Sequence, residues 1–179
     1  ISKKQIRDDE FISSIKFEDL LDEIITSFKE VSSKNINLFI EKDKNKFNIQ
    51  RSPEIIYGLR NFIGNAVKFS KSKVNVILES DNNKVLINIG DNGPGFPDDV
   101  KEILGEPYIK SKSKEVKSNA GLGLGTFLGK TLLEKQKAEL KFSSDKKLKG
   151  ALVIINWKID DIILKTWIQK YKLKFCMLA

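Results

Sequence analysis

The sequence predicts an α+β domain in which helices pack on one face of a mixed or mainly antiparallel sheet. Apolar residues recur at three- and four-residue steps in some segments and alternate in others, and the strands do not alternate regularly with helices as in a doubly wound parallel sheet. The chain has 179 residues, 40% of them apolar and 31% charged. This composition suits one folded core and excludes a disordered chain.

Three helices are predicted from periodicity and end signals. The apolar positions of residues 17–31 fall on one helical face, and the opening turns are acidic. Ser52 and Pro53 provide an N-cap and a first-turn proline for a second helix, which is expected to run to about Ser70. A glycine-rich segment leads into a third helix, which is predicted to continue through Lys137.

The strands are predicted from alternating apolar residues. Residues 36–43 and 47–50 alternate like strands around a Lys/Asn turn. Residues 74–91 form a predicted hairpin around Asn82-Asn83, and residues 138–157 form a second one. Together with the helices, these strands favour a mixed or mainly antiparallel sheet.

Composition divides the chain into three parts. Residues 1–16 are polar and weakly patterned, which is typical of a linker, and residues 17–157 carry the regular elements. Residues 158–179 form a tail that is either an extra packing helix or a segment that binds a partner. One helical face of this tail would carry its apolar residues Ile159, Ile162, Ile163, Trp167 and Tyr171.

The chain contains no histidine and a single cysteine, Cys176. Without histidine, a Ser-His-Asp triad, a Cys-His pair and a His-ligated zinc site are all excluded. One cysteine excludes a disulfide framework and a four-thiolate zinc site, and it favours a reducing compartment. Cys176 is interpreted as a small apolar residue without a redox role.

The net charge of +8 does not indicate nucleic-acid binding, because only three of the 32 basic residues are arginine. Arginine is preferred for binding bases and phosphates, because its planar guanidinium group can donate two parallel hydrogen bonds. Here the basic residues are mostly lysines, which are spread along the whole chain. No uncharged apolar stretch approaches the ~18 to 20 residues that span a bilayer, and the N-terminus does not resemble a signal peptide. A soluble chain with neither nucleic-acid nor membrane contact is therefore expected.

The second predicted helix carries Asn61 and Asn65 on one face, with Lys68 three residues further on. Asparagine is a middling to poor helix former, so its repetition here suggests a side-chain role. An amide oxygen is a hard, neutral ligand for Mg²⁺, and an ammonium group complements phosphate. Taken alone, the pair fits equally well with amides that satisfy buried polar groups.

A second motif, Asp91-Asn92-Gly93-Pro94-Gly95-Phe96, follows a predicted strand. Gly93 and Gly95 allow a backbone bend that lies close to a flat ligand, because no Cβ intervenes. Asp91 would then accept a hydrogen bond from an exocyclic amine. An ordinary turn would use the same residue types.

The third motif, Gly121-Leu122-Gly123-Leu124-Gly125, precedes a helix. Closely spaced glycines at a helix N-terminus leave backbone N–H groups free to bind phosphate oxygens. The motif is not a Rossmann fingerprint, because Thr126 stands where the third glycine should be. It is not a Walker A loop either, because the following Gly125 to Thr131 run is one residue short.

The order of these segments resembles the N, G1 and G2 boxes of the GHKL ATP-binding superfamily over about residues 17–157. Within it, the chain is most similar to the catalytic domain of bacterial sensor histidine kinases. The run LGEPYIKSKSKE, followed by GLGLGTFLGKTLLEKQKAEL, resembles the RegB/PrrB/ActS group, in which a Gly-Glu-Pro-Tyr segment replaces the Phe-rich F box. The resemblance implies a Bergerat-type two-layer sandwich with about three helices on one face.

The resemblance also implies ATP and Mg²⁺ as cofactors. Asn65 matches the residue that ligates Mg²⁺, and Asn61 matches its neighbour one turn earlier. Asp91 matches the residue that binds the adenine amino group, beside Gly93 and Gly95. The other residues implied to bind ATP are Lys68 and Phe69 on the helix, Tyr108 and Lys110 in an ATP lid over residues 106–120, and Gly121, Leu122, Gly123, Leu124 and Gly125 in the phosphate loop.

Position 61 bears on the acceptor of the phosphoryl group. GHKL proteins that hydrolyse ATP or phosphorylate serine carry a Glu there as a base, whereas Asn61 cannot accept a proton. A neutral imidazole needs no such base, which favours a histidine acceptor. Since the chain has no histidine, the acceptor would lie in a dimerisation domain that precedes residue 1.

The implied partners are that domain and a response regulator, and the implied location is cytoplasmic, as part of a membrane-anchored sensor. Two alternatives stay open. One is a stand-alone regulator that resembles an anti-sigma-factor serine kinase, and the other is a degenerate kinase that only binds nucleotide.

Overall fold

The computed structural model describes residues 14–41, 47–97, 104–106 and 124–163. The elements lie in the chain order β1 (Ser14–Lys16), α1 (Phe17–Lys29), β2 (Asn35–Ile40), β3 (Asn48–Gln50), α2 (Pro53–Phe69), β4 (Lys73–Ser80), β5 (Lys84–Asp91), α3 (Leu124–Lys135), β6 (Glu139–Ser144), β7 (Ala151–Lys158) and α4 (Ile159–Ile162).

A mixed five-stranded sheet has the order β2-β4-β5-β7-β6, and β1 pairs with β3 in a separate two-stranded sheet. In the large sheet, β2 runs parallel to β4 and the other neighbours are antiparallel. The α+β prediction is confirmed. Both predicted hairpins are present, as β4–β5 with Val74 opposite Asp91 and as β6–β7 with Glu139 opposite Asn156.

The core lies between the helices and one face of the large sheet. Alternate residues of the central strands point into it, as expected when one side of a sheet is covered. Among the described residues, Trp157 is the largest fully buried side chain, and its indole N–H donates to the Gln136 carbonyl at 3.1 Å. The buried apolar residues of the three central strands are Val74, Val76 and Leu78 of β4, Val85, Ile87 and Ile89 of β5, and Val153, Ile155 and Trp157 of β7.

The second helix begins and ends where its sequence signals place it. The Ser52 hydroxyl accepts a hydrogen bond from the Ile55 N–H at 3.3 Å, and Pro53 occupies the first turn. The helix ends at Phe69, and the amine of Lys34 donates to the carbonyls of Ser70 at 2.6 Å and Lys71 at 2.8 Å. A cation at this end complements the helix dipole.

Three local features differ from the elements that the periodicity predicts or add to them. Val31 is 81% exposed, not on the buried helical face, because α1 already ends at Lys29. The strands predicted on either side of the Lys/Asn turn do not pair with each other, since β2 pairs with β4 and β3 with β1. Ser14–Lys16 of the predicted linker form β1.

The start of the predicted tail packs on the core. Ile162 is buried, and Ile163 pairs with Ile49 in an isolated antiparallel bridge. Residues 164–179, including Trp167, Tyr171 and Cys176, lie outside the described residues. None of the helices in the described part of the chain is long and apolar enough to cross a membrane.

Candidate functional site

Helix α2 carries three of the predicted site residues on one face. Asn61, Asn65 and Phe69 are spaced four residues apart, so each lies about 6 Å along the axis from the next. The end of α2 at Phe69 meets the loop that follows β5, and its middle meets the start of α3. An elongated ligand lying along α2 would therefore contact both motifs.

The carboxylate of Asp91 lies at the end of β5 and is 3% exposed. Its Oδ1 accepts hydrogen bonds from the backbone N–H of Gly93 at 2.7 Å and of Ala151 at 3.3 Å. Burial raises the pKa of Asp91, the two N–H donors lower it in part, and the nearby negative charge of Asp145 raises it further. Among the described residues, no group donates to Oδ2, so this oxygen is the one that can accept from a ligand.

Two glycines make room for this carboxylate. A Cβ at Gly93 would collide with the backbone carbonyl of Phe69 and would lie 2.9 Å from Asp91 Oδ1. A Cβ at Gly150 would collide with the carbonyl and Oδ1 of Asp91 and would lie 2.6 Å from the Gly93 N–H nitrogen. Real Cβ atoms do not approach other atoms this closely, so the end of β5 and the start of β7 can meet only through glycine.

Asn92 connects the Asp91 motif by hydrogen bonds to the segment between α2 and β4. Its Oδ1 accepts from the N–H groups of Ser72 at 3.0 Å and Lys73 at 2.9 Å, and its Nδ2 donates to the Ser72 hydroxyl at 3.0 Å. Its own N–H donates to the Lys73 carbonyl at 3.2 Å. These bonds fix Asp91 relative to the end of α2.

The first turn of α3 lies against the two asparagines of α2. A Cβ at Gly125 would be 3.4 Å from Asn61 Oδ1 and 3.9 Å from both Oδ1 and Nδ2 of Asn65. Gly129, one turn further on, has its Cβ position 3.0 Å from Asn61 Cβ. The helices therefore approach closely at the point where both amide groups lie.

Lys68 and Phe69 lie at the end of α2. The Lys68 amine is exposed and lies 5.3 Å from the centroid of the Phe69 ring, at cation–π distance. Beyond Gly95, whose φ is +81°, Phe96 packs edge-on against Phe142 with ring centroids 5.7 Å apart. This contact ties the glycine motif to the hydrophobic core.

The structure thus brings Phe69 of α2 next to Asp91 at the end of β5 and to Gly93 just after it, and it brings Asn61 and Asn65 of α2 next to Gly125 of α3. Leu124 is 37% exposed at the start of α3. The predicted site residues Tyr108, Lys110, Gly121, Leu122 and Gly123 lie outside the described residues.

Four contributors to the site are not among the predicted site residues: Asn92, Thr126, Gly150 and Ala151. Gly150 and Ala151 act on Asp91 from about 60 residues further along the chain, so no local pattern marks them. Asn92 lies inside the Asp91 motif, and its short polar side chain is typical of residues that bond to nearby backbone groups. That signal was available in the sequence.

The fold of the chain is also found in solved sensor histidine kinases. It is similar to a mycobacterial sensor histidine kinase, MprB, with a TM-score of 0.66 and 18% identity over 81% of this chain and 95% of that one. Full-length ShkA, solved in complex with AMPPNP, gives a TM-score of 0.68 and 18% identity over 86% of this chain and 32% of that one. At such identities the likeness shows the fold alone.

Sequence comparison establishes the family. The model for the histidine kinase-, DNA gyrase B- and HSP90-like ATPases matches residues 51–161, and the chain belongs to this family. The sensor histidine kinase RegB of Cereibacter sphaeroides is 36% identical over 131 residues. That match covers 65% of this chain and 28% of RegB, so the chain spans little more than a quarter of that relative. The GHKL resemblance is confirmed.

Proposed function

We propose that the chain is the ATP-binding catalytic domain of a sensor histidine kinase, and that it transfers the γ-phosphoryl group to a histidine outside this chain. The acceptor domain and a downstream response regulator would be its partners, and the domain would lie in the cytoplasm as part of a membrane-anchored sensor. Family membership and the similarity to RegB support this function. The observation that carries it is the buried Asp91 carboxylate, held through Oδ1 beside the end of α2.

Asp91 is suited to bind the amino group of adenine. Its Oδ1 is already occupied by two backbone donors, so Oδ2 is the oxygen available to an exocyclic amine. A buried carboxylate makes a stronger hydrogen bond than an exposed one, because water does not compete for it. The bare backbone at Gly93 would allow a flat base to lie close to the loop.

The triphosphate would lie along α2 toward the start of α3. There the glycines and the helix N-terminus favour an anion. The Lys68 amine is exposed on the same helix and complements phosphate charge. The predicted phosphate-loop residues that precede Leu124 would complete this part of the site.

The amide groups present are consistent with a bound Mg²⁺. Within the described residues, no cluster of three acidic or cysteine side chains forms a metal site, so phosphate oxygens would have to supply most of the ligands. Mg²⁺ is commonly held in this way, with few protein ligands and several waters. Asn65, with Asn61 beside it, is the residue proposed to hold the ion, which would neutralise phosphate charge.

The chain supplies no base at position 61, where the Asn61 Nδ2 donates to the Tyr57 carbonyl at 2.8 Å. The proposed contribution of the protein is to hold ATP and to align the γ-phosphoryl group with an incoming imidazole. Phosphoryl transfer depends mainly on positioning and charge stabilisation, so a site of this kind is sufficient for a histidine acceptor.

The proposed activity is tested by supplying the acceptor in trans. Radiolabelled ATP and Mg²⁺ are mixed with the chain and with the dimerisation domain of the same full-length protein. We expect an acid-labile phosphohistidine on the added domain and no label on the chain itself, which has no histidine. The control is the same domain with its acceptor His replaced by Gln. Acid-stable labelling of serine, or rapid ATP hydrolysis without an acceptor, would contradict the proposal.

A charge change at Asn65 tests the proposed metal ligand. In Asn65→Asp, the carboxylate repels the triphosphate without metal and attracts Mg²⁺ when it is present. We expect the ratio of ATP affinities with and without Mg²⁺ to rise about fivefold or more, as measured by calorimetry. Asn75→Asp is the matched control, because Asn75 lies in β4 and its Oδ1 accepts from Asn37 at 3.3 Å. An equal ratio in the two variants would remove Asn65 from the metal site.

A further inference from the structure

The side chain of Thr126 makes a contact that neither the motifs nor the proposed function assigns. Its Oγ1 accepts a hydrogen bond from the Asn65 Nδ2 at 3.3 Å. The two residues are 61 positions apart and belong to different helices, α2 and α3. Thr126 is partly buried in the first turn of α3, directly after Gly125.

This bond bears on which end of the Asn65 amide faces a ligand. An amide has an oxygen end that can ligate a cation and a nitrogen end that only donates hydrogen bonds. A rotation by half a turn about the last side-chain bond exchanges the two ends with almost no change in shape. A hydroxyl can also donate to an amide oxygen, but in the orientation that the structure gives, Nδ2 donates to Thr126 and Oδ1 is the end left for a metal.

The neighbouring amide is oriented in a corresponding way by a different partner. The Asn61 Nδ2 donates to the Tyr57 carbonyl of its own helix, and its Oδ1 lies 3.4 Å from the Cβ position of Gly125. Both nitrogen ends therefore have partners. The partner of Asn61 belongs to α2, whereas the partner of Asn65 belongs to α3.

We infer that Thr126 is a positioning residue, which holds the Asn65 amide with its oxygen toward the proposed Mg²⁺. The inference rests on the proposed function. A metal-ligating side chain that is oriented before the metal binds loses less conformational entropy on binding. Thr126 would therefore strengthen the Mg²⁺-dependent affinity for nucleotide without contacting the nucleotide itself. It also links the start of α3 to the metal ligand of α2.

The test compares nucleotide affinity with and without Mg²⁺ in three variants. Thr126→Val keeps the branched shape and removes the hydroxyl, Thr126→Ser keeps the hydroxyl, and Thr131→Val makes the same change at an exposed position of α3. The probe is AMPPNP, measured by calorimetry with saturating Mg²⁺ or with a chelator. Melting temperatures without ligand show whether each variant is folded.

For Thr126→Val we expect the Mg²⁺-dependent affinity to fall three- to tenfold, as expected for one hydrogen bond, with metal-free affinity within twofold of wild type. Thr126→Ser should restore the affinity and Thr131→Val should leave it unchanged. Equal losses with and without Mg²⁺, or no loss at all, would overturn the inference while leaving the proposed function intact. Failure of the wild-type chain to bind AMPPNP would overturn both.

Discussion

Replacement of Asp91 by Asn is expected to abolish nucleotide binding and to stabilise the nucleotide-free protein at neutral pH. Asn has one oxygen, which the Gly93 and Ala151 N–H groups already use. The amide nitrogen would then face the amino group of adenine, donor against donor. Loss of a hydrogen bond to a charged group, with a donor left unpaired, weakens binding by about 100-fold or more.

The gain in stability follows from the direction of the pKa shift. Burial, the largest cause, raises the pKa of Asp91 above its ordinary value of 3.8. A raised pKa in the folded state means that ionisation of Asp91 destabilises the fold. The stabilising contribution of this carboxyl to the free energy of unfolding is therefore fully present below the pKa that Asp91 has in the unfolded chain. It is lost as the pH rises through the folded pKa. The uncharged Asn avoids that loss.

Two measurements check this expectation. Calorimetry with AMPPNP reports binding, and urea denaturation across pH 3 to 8 reports the free energy of unfolding. The free energy of unfolding of Asp91→Asn should exceed that of wild type by a growing amount as the pH rises through the raised pKa. Glu139→Gln is the control, because it removes one negative charge from an exposed position of β6. Unchanged affinity in Asp91→Asn would remove the adenine assignment.

Gly150→Ala is expected to impair both stability and nucleotide binding, although Gly150 lies in none of the recognised motifs. The added methyl group would overlap the carbonyl and Oδ1 of Asp91 and would crowd the Gly93 nitrogen. Two of these three atoms belong to the backbone and cannot move independently of it. Overpacking of this kind costs about 2–3 kcal/mol. Because the displaced group is Asp91 itself, affinity should fall at least tenfold.

Gly64→Ala is the matched control for this substitution. Gly64 lies in α2, and its Cβ position is 3.1 Å from the tip of the Phe28 ring, which is a side chain that can shift. Alanine also favours the helix by up to about 1 kcal/mol, so little net change is expected. Urea denaturation and AMPPNP calorimetry are run on both variants. A Gly150→Ala protein with wild-type affinity would show that Asp91 tolerates displacement.

The local elements of this protein could be predicted because periodicity and end signals act over short stretches. Ser52 and Pro53 fixed the start of α2, and alternation identified the strands of both hairpins. Val31 was misplaced because apolar spacing continues past the residue where the hydrogen-bonded helix ends. The pairing of β2 with β4 was not predicted, since a parallel partner is reached through a long connection and not through a turn.

The sequence by itself determined the chemistry of the site: an acid after a strand, two amides on one helical face, and glycines before a helix. These are properties of short segments, and residue types at fixed spacing specify them. Only the tertiary structure decided how the groups are held. Gly150 and Ala151 reach Asp91, and Thr126 reaches Asn65, across about 60 residues of chain. Such contacts depend on sheet order and helix packing, which no local pattern records.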